Sequence, residues 1–306
     1  MEQETIRADL HMHGPIGLQQ YWLKAQGYQR KNLLKLIVDR CLEAELDICA
    51  ITSDEDKIPR GSIHDRFNWL KDNCAAELEQ QGYSVGTLGE NILKVSKDRT
   101  VYLVNGQTVR AQHEGRQVDH LVVGSNDVPI GNDFRETLKW IRGETNDIST
   151  ARSTETEERL ISTIEHGLCT AHGGIGRELI EECAGQYDAI EGHNQQLIFD
   201  GVLARLPKFR EYTRELNYQS QALAESLGKH WIATSDAHRI DSAGRSYIWF
   251  DRGLLDTSNG DEFLGSLREV ILTNQFDKHC EYEPLPRWAN WVGKLMFGTT
   301  FKRDKE

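Results

Sequence analysis

Short apolar runs, each followed by a polar turn and a helix-patterned stretch, recur along this chain, and that alternation confines its fold more than any other feature. Thr5–Leu10 alternates in strand fashion, and Asp47–Thr52 reads as a buried strand. Val101–Val104, Leu121–Val123, Leu168–Ala171, Ala189–Glu191 and Trp231–Thr234 read as further strands. Leu33, Leu34, Ile37, Val38 and Cys41 follow helical spacing within Arg30–Leu46, and Ile63, Phe67, Leu70, Cys74 and Leu78 mark a second helix. Helical patterns recur near 133–142, 155–166, 177–184 and 208–227. Strands alternating with helices predict a mainly parallel α/β fold, and six or seven such units favour a closed barrel over an open sheet.

The 306 residues, 38% apolar, suffice for one barrel with a substantial core over 1–250 and a C-terminal extension over 251–306. In that extension Gly260–Asn274 is predicted helical, capped by Asn259 or Asp261. Trp288, Trp291, Val292, Leu295 and Met296 then form an amphipathic stripe, which is either a docked helix or a surface for a protein partner. No apolar run approaches the roughly 20 residues of a membrane span, and the first residues lack the layout of a secretory signal. Six cysteines without a C-x-x-C pair read as reduced, mostly buried thiols, so a soluble cytoplasmic protein is expected. A formal charge of −12 excludes general attraction to duplex nucleic acid.

The chemistry-bearing residues fall at the ends of the predicted strands. His11 and His13 close the first as D-L-H-M-H; spacing i, i+2 in extended chain puts both imidazoles on one face, as two ligands of one metal require. Asp54 follows the second strand in A-I-T-S-D, and His120 heads another in D-H-L-V-V-G. His172 follows in A-H-G-G, Glu191, His193 and Asn194 in I-E-G-H-N, and Asp236 and His238 in T-S-D-A-H. Most of these lie at C-terminal strand ends, the face where α/β barrels build their sites, which predicts a metal centre. Imidazole and carboxylate without thiolate suit zinc, manganese or iron. Gly173 and Gly174 either offer backbone N–H groups to a phosphate or form a tight loop. Arg239 either clamps a phosphate oxygen or makes a surface ion pair. Tyr21, Trp22, Tyr28, His64, Arg66 and Trp69 divide between a substrate pocket and core packing, and His113, His166, His230 and His279 receive no role.

In order, D-L-H-M-H, A-I-T-S-D, V-N-G-Q-T-V, H-L-V-V-G, A-H-G-G, I-E-G-H-N and T-S-D-A-H resemble the motifs of the PHP family, the polymerase and histidinol phosphatase family of metal-dependent phosphoesterases, over about residues 5–250. The resemblance implies a distorted (β/α)7 TIM-like barrel that binds up to three metals and hydrolyses phosphomonoesters or phosphodiesters, including nucleotides and oligonucleotides. It implies one metal on His11, His13 and Asp236, a second on His120 and His172, and a weak or empty third site keeping His238 and Asp54. Asp236 and His238 take catalytic roles, with His238 protonating the leaving group, while Arg239, Gly173, Gly174 and Asn194 contact substrate. Three positions depart from the family pattern: Leu18 follows H-x-H where an acid or histidine is usual, Asp54 replaces a histidine, and Thr108 replaces a metal-bridging glutamate. Two readings follow. One is an active phosphoesterase carrying one or two divalent ions; the other is a catalytically reduced PHP-like domain that binds a nucleotide, a nucleic-acid end or a protein partner.

Overall fold

The computed structural model describes residues 5–13, 32–53, 66–144, 159–170, 173–200, 212–286 and 289. Eleven strands among them form one sheet: β1 (Thr5–Met12), β2 (Ile48–Ser53), β3 (Ser84–Thr87), β4 (Ile92–Ser96), β5 (Thr100–His113), β6 (Arg116–Val123), β7 (Ile161–Ile164), β8 (Ala189–Asn194), β9 (His230–Thr234), β10 (Tyr247–Asp251) and β11 (Asp277–His279). The helices are α1 (Leu33–Glu43), α2 (Arg66–Gln80), α3 (Phe134–Ile141), α4 (Arg177–Glu182), α5 (Arg214–Ser226) and α6 (Gly260–Leu272).

Seven strands in the order β1-β2-β5-β6-β7-β8-β9 make the wall, and β9 returns to β1. There Met12 bridges Ala237 in parallel, and the His13 N–H donates to the Ala237 carbonyl at 3.0 Å. The α/β barrel read from the alternation is therefore present. It is not uniformly parallel: β6 runs antiparallel to both neighbours, because a two-residue turn at Glu114–Gly115 joins it to β5 where a helical crossover would otherwise reverse the chain. Two local expectations are corrected. The helix read over 155–166 covers β7, and the strand read at Leu168–Ala171 is a turn as far as Thr170.

Alternation sorts the wall residues into two layers. Ile6, Ala8, Leu10, Ile48, Ala50, Val104, Leu121, Ile161, Ala189 and Ile232 fill the interior, and α6 closes one end by inserting Phe263, Leu264, Leu267 and Ile271 among them. The outward set packs under α1 and α2 on one side and under α3, α4 and α5 on the other. Asn259 caps α6, accepting from the N–H groups of Asp261 and Glu262 at 3.0 Å. β10 and β11 extend the same sheet from β1, so the described chain beyond 250 shares the barrel's core. The tryptophan stripe from Trp288 lies outside the described residues.

Candidate metal centre

A β-bulge in β1 decides where the first histidines point. Ala8 and Asp9 pair with Ile48 and Cys49, but Met12 pairs with Ile51, so one extra residue lies between them. Before the bulge the inward residues are Ile6, Ala8 and Leu10; after it Met12 joins the outer layer, and His11 and His13 turn inward. A second register shift in β8, between Glu191 and His193, brings Glu191 and Asn194 to one face. On β9 plain alternation carries Ile232, Thr234 and then Asp236 inward.

These strand ends converge. His11 Nε2 and His13 Nε2 face each other at 3.0 Å, and Asp236 Oδ1 lies 3.2 Å from His13 Nε2 and 3.6 Å from His11 Nε2. All three residues are buried. Two facing imidazole nitrogens cannot both present lone pairs to each other, so either one carries a proton and donates it to the other or a metal cation lies between them. On its far side His11 donates Nδ1–H to Glu191 Oε1 at 2.8 Å. Glu191 also accepts from the Thr234 hydroxyl, from Asn194 Nδ2 at 3.0 Å and from the His166 backbone N–H at 2.7 Å. Asn194 Nδ2 further donates to Asp236 Oδ2 at 2.9 Å, so this amide, expected at substrate, ties two carboxylates of the centre together. Arg66, buried at the start of α2, donates to the His13 carbonyl.

Electrostatics follow from this packing. Burial opposes charge on His11, but Glu165, Asp236 and Glu191 outweigh it and hold the imidazole well above its ordinary range. Burial likewise opposes the Asp236 carboxylate, yet His11, His238 and His13 hold it far below the usual range. Asp236 adopts φ +45°, a left-handed conformation that costs a non-glycine residue energy and clusters at functional positions. His238 Nδ1 donates to the Asp236 carbonyl at 2.9 Å, with its ring 4.5 Å from that of His13.

Sequence reading missed a second group beside the first: the ligand atoms of Asp119, Glu165 and His166 lie within 4.8 Å of one another. Glu165 Oε1 is 3.0 Å from His166 Nε2 and 3.3 Å from His11 Nε2. Burial opposes a charge on His166, but Glu165 outweighs it and raises the ring to about 9. His166 also has a positive φ, +27°. The signal was present as I-S-T-I-E-H, an apolar run ending in acid and histidine.

His120 stands apart. It shares the outward face of β6 with Val118 and Val122, meets the Phe134 ring edge-on at 5.5 Å and pairs Nε2 with Ser162 Oγ at 2.8 Å; its neighbour Asp119 is the residue that faces inward. Thr108 stands opposite Leu121 on the inner face of β5, with no hydrogen-bond partner for its hydroxyl among the described residues. Gly173 takes φ +90°, and a Cβ there would overlap the Asp119 carboxylate. The Gly174 N–H donates to the Cys169 carbonyl at 3.0 Å, and Arg239 forks onto Asp241 at 2.9 and 2.6 Å. Trp69 packs against the core under α1 and α2. Asp54, His172, Leu18, Tyr21, Trp22, Tyr28 and His64 lie outside the described residues.

The donors fit a divalent cation. Asp236 Oδ1 and Glu165 Oε2 are buried without a hydrogen bond among the described residues, and two imidazoles with carboxylates form a set suited to zinc, manganese or iron. None of the six cysteines forms a disulfide, and five of them are buried.

Comparison with known proteins agrees with this architecture. A family model described as PHP-associated matches residues 214–270, which span α5, β9, the D-A-H segment, β10 and most of α6. No curated protein matches the sequence. The crystal structure of PsfC from Pseudomonas syringae PB-5123 is similar in fold at TM-score 0.54 and 15% identity, over 97% of this chain and 99% of that one. A two-domain protein from Bacteroides vulgatus ATCC 8482, containing a predicted PHP-like metal-dependent phosphoesterase, is similar at TM-score 0.50 and 14% identity, over 91% of this chain and 65% of that one. The barrel is thus similar in fold to these structures, and the PHP-associated match over residues 214–270 accords with the resemblance carried by the sequence motifs.

Proposed function

We propose that the chain is a metal-dependent phosphoesterase acting on a phosphorylated small molecule or a nucleic-acid end, with zinc, manganese or iron as cofactor. The observation that carries this reading is the convergence of His11, His13 and Asp236, backed by Glu191. His11, His13 and Asp236 would hold the cation, which would supply Lewis acidity and lower the pKa of a water toward neutrality. The protein's own work is positional. Glu191 keeps the His11 proton on Nδ1, so the Nε2 lone pair faces inward. Asn194 holds the Asp236 carboxylate, and Arg66 holds the end of β1. His238 commits its Nδ1–H to the Asp236 backbone carbonyl, and burial pushes its imidazole from 6.5 down to about 4, so near neutral pH its Nε2 carries a lone pair and takes up a proton before it can pass one to a leaving-group oxygen.

Phosphomonoesters and short oligonucleotides, screened with added manganese or zinc, test this. Hydrolysis is expected, stimulated by metal and lost in His11→Ala and Asp236→Ala; activity surviving both substitutions belongs to another site or a contaminant. A second reading, nucleotide binding without turnover, is favoured by the engagement of Arg239 with Asp241 and of the Gly174 N–H with Cys169. Nucleotide binding in the absence of turnover, with metal present, supports it. Cysteines without disulfides fit a reducing compartment, which makes the cytoplasm the proposed location, and no described helix is long and apolar enough to cross a membrane.

A further inference from the structure

We propose that a second divalent cation binds between Asp119, Glu165 and His166, and that Glu165 is the carboxylate common to this site and the His11–His13–Asp236 site. The inference rests on the reading of that first group as a metal centre. Two neighbouring strands supply the ligands of the second site. Leu121 on β6 pairs with Thr163 on β7, and the next inward residues along the antiparallel ladder are Asp119 and Glu165. Their ligand atoms and that of His166 lie within 4.8 Å of one another. Glu165 faces both groups, with Oε1 at 3.3 Å from His11 Nε2 and 3.0 Å from His166 Nε2. Its Oε2 and the His166 Nδ1 are buried without a hydrogen bond among the described residues. The backbone is shaped to the same end: His166 has φ +27° with its N–H fixed on Glu191, and Gly173 lacks the Cβ that would displace the Asp119 carboxylate.

Two dications about 3.5–4 Å apart repel strongly, and a shared carboxylate offsets that repulsion. Thr108, also on the inner face, carries no charge to do so; Glu165 does it from β7. Arg110 competes for the role of counter-charge, its Nε lying 3.6 Å from Asp119 Oδ1.

Chelator-stripped full-length protein titrated with Mn2+ decides the matter, read by calorimetric stoichiometry and by the electron paramagnetic resonance of the bound ions. Two ions per chain with a spin-coupled signal are expected. Asp119→Asn should leave one ion and an uncoupled signal. Glu165→Gln, folded by circular dichroism, should weaken both ions by at least roughly tenfold. If Glu165→Gln does not fold, Asp119→Asn and the wild-type signal decide alone. One uncoupled ion in the wild type, unaffected by Asp119→Asn, overturns the proposal and leaves Arg110 as the partner of Asp119. No bound ion at all overturns the reading of the first site as well.

Discussion

His11 donates its Nδ1–H to Glu191 Oε1 at 2.8 Å, and both side chains are wholly buried. The carboxylate therefore selects the tautomer and the orientation of a ring whose other nitrogen faces His13. Glu191→Gln preserves the shape but removes the charge that makes the ring a good ligand. Affinity for Mn2+ or Zn2+ should fall about 10–100-fold, the usual effect of losing such a partner. Calorimetry on wild type and variant measures this, with circular dichroism to verify the fold; equal affinities would detach Glu191 from the centre.

Metal should also stabilise the fold. A ligand present at a hundred times its dissociation constant adds about 2.7 kcal/mol when it binds only the native state. Urea denaturation with chelator and with Mn2+ should differ by about that amount in the wild type. His13→Ala and Asp236→Ala should each abolish the difference while remaining folded.

His120 gives the fold an acid-sensitive point outside the centre. Burial, aided by Arg142 and opposed by Glu165 and Asp188, pushes its imidazole from 6.5 down to about 4. Between those values the unfolded chain binds a proton that the native chain refuses, so acid favours unfolding. The stability contributed by neutral His120 is complete above about pH 6.5, declines as pH falls and is lost by about pH 4. At about 1.4 kcal/mol per pH unit, the loss approaches about 3 kcal/mol. Denaturation midpoints from pH 7 to pH 4 should fall less steeply in His120→Gln, by up to one proton; parallel slopes would show that His120 protonates as readily in the native state.

Gly173→Ala meets two penalties, because φ +90° disfavours any side chain and the added Cβ overlaps the Asp119 carboxylate. A loss on the order of 2 kcal/mol or more in unfolding free energy is expected. A variant as stable as wild type would mean that the loop after Thr170 relaxes freely.

The barrel was legible because strand alternation and helical spacing are local properties; β1, β2, β8 and β9 fall close to where the residues place them. Which face a strand-end residue takes was less so. Spacing puts His11 and His13 on one side, but the extra residue in β1 decides that the side is inward, and nothing in D-L-H-M-H announces it. At β6 the choice between Asp119 and His120 is a single step of a period-two pattern, and an apolar run fits either phase. Glu165 and His166 were missed for another reason. β7 has only four residues, Ile161–Ile164, and the neighbouring L-C-T-A run offers an equally apolar decoy whose Cys169 is buried in a turn.

The seam between β9 and β1 joins parts of the chain 226 residues apart, where the Ser235 N–H meets Asp9 Oδ1. An ion gripped by His11 and His13 on one side of that seam and by Asp236 on the other would close a loop of the same size. Loop-closure entropy grows only logarithmically with length, but its absolute value for so long a loop is large. Such an ion would act as a reversible staple, much as a disulfide does, raising the cost of opening the barrel at that seam. Removing it should loosen that joint first, so amide exchange should accelerate in β1 and β9 before it does in the β5–β6 hairpin, whose pairing is local.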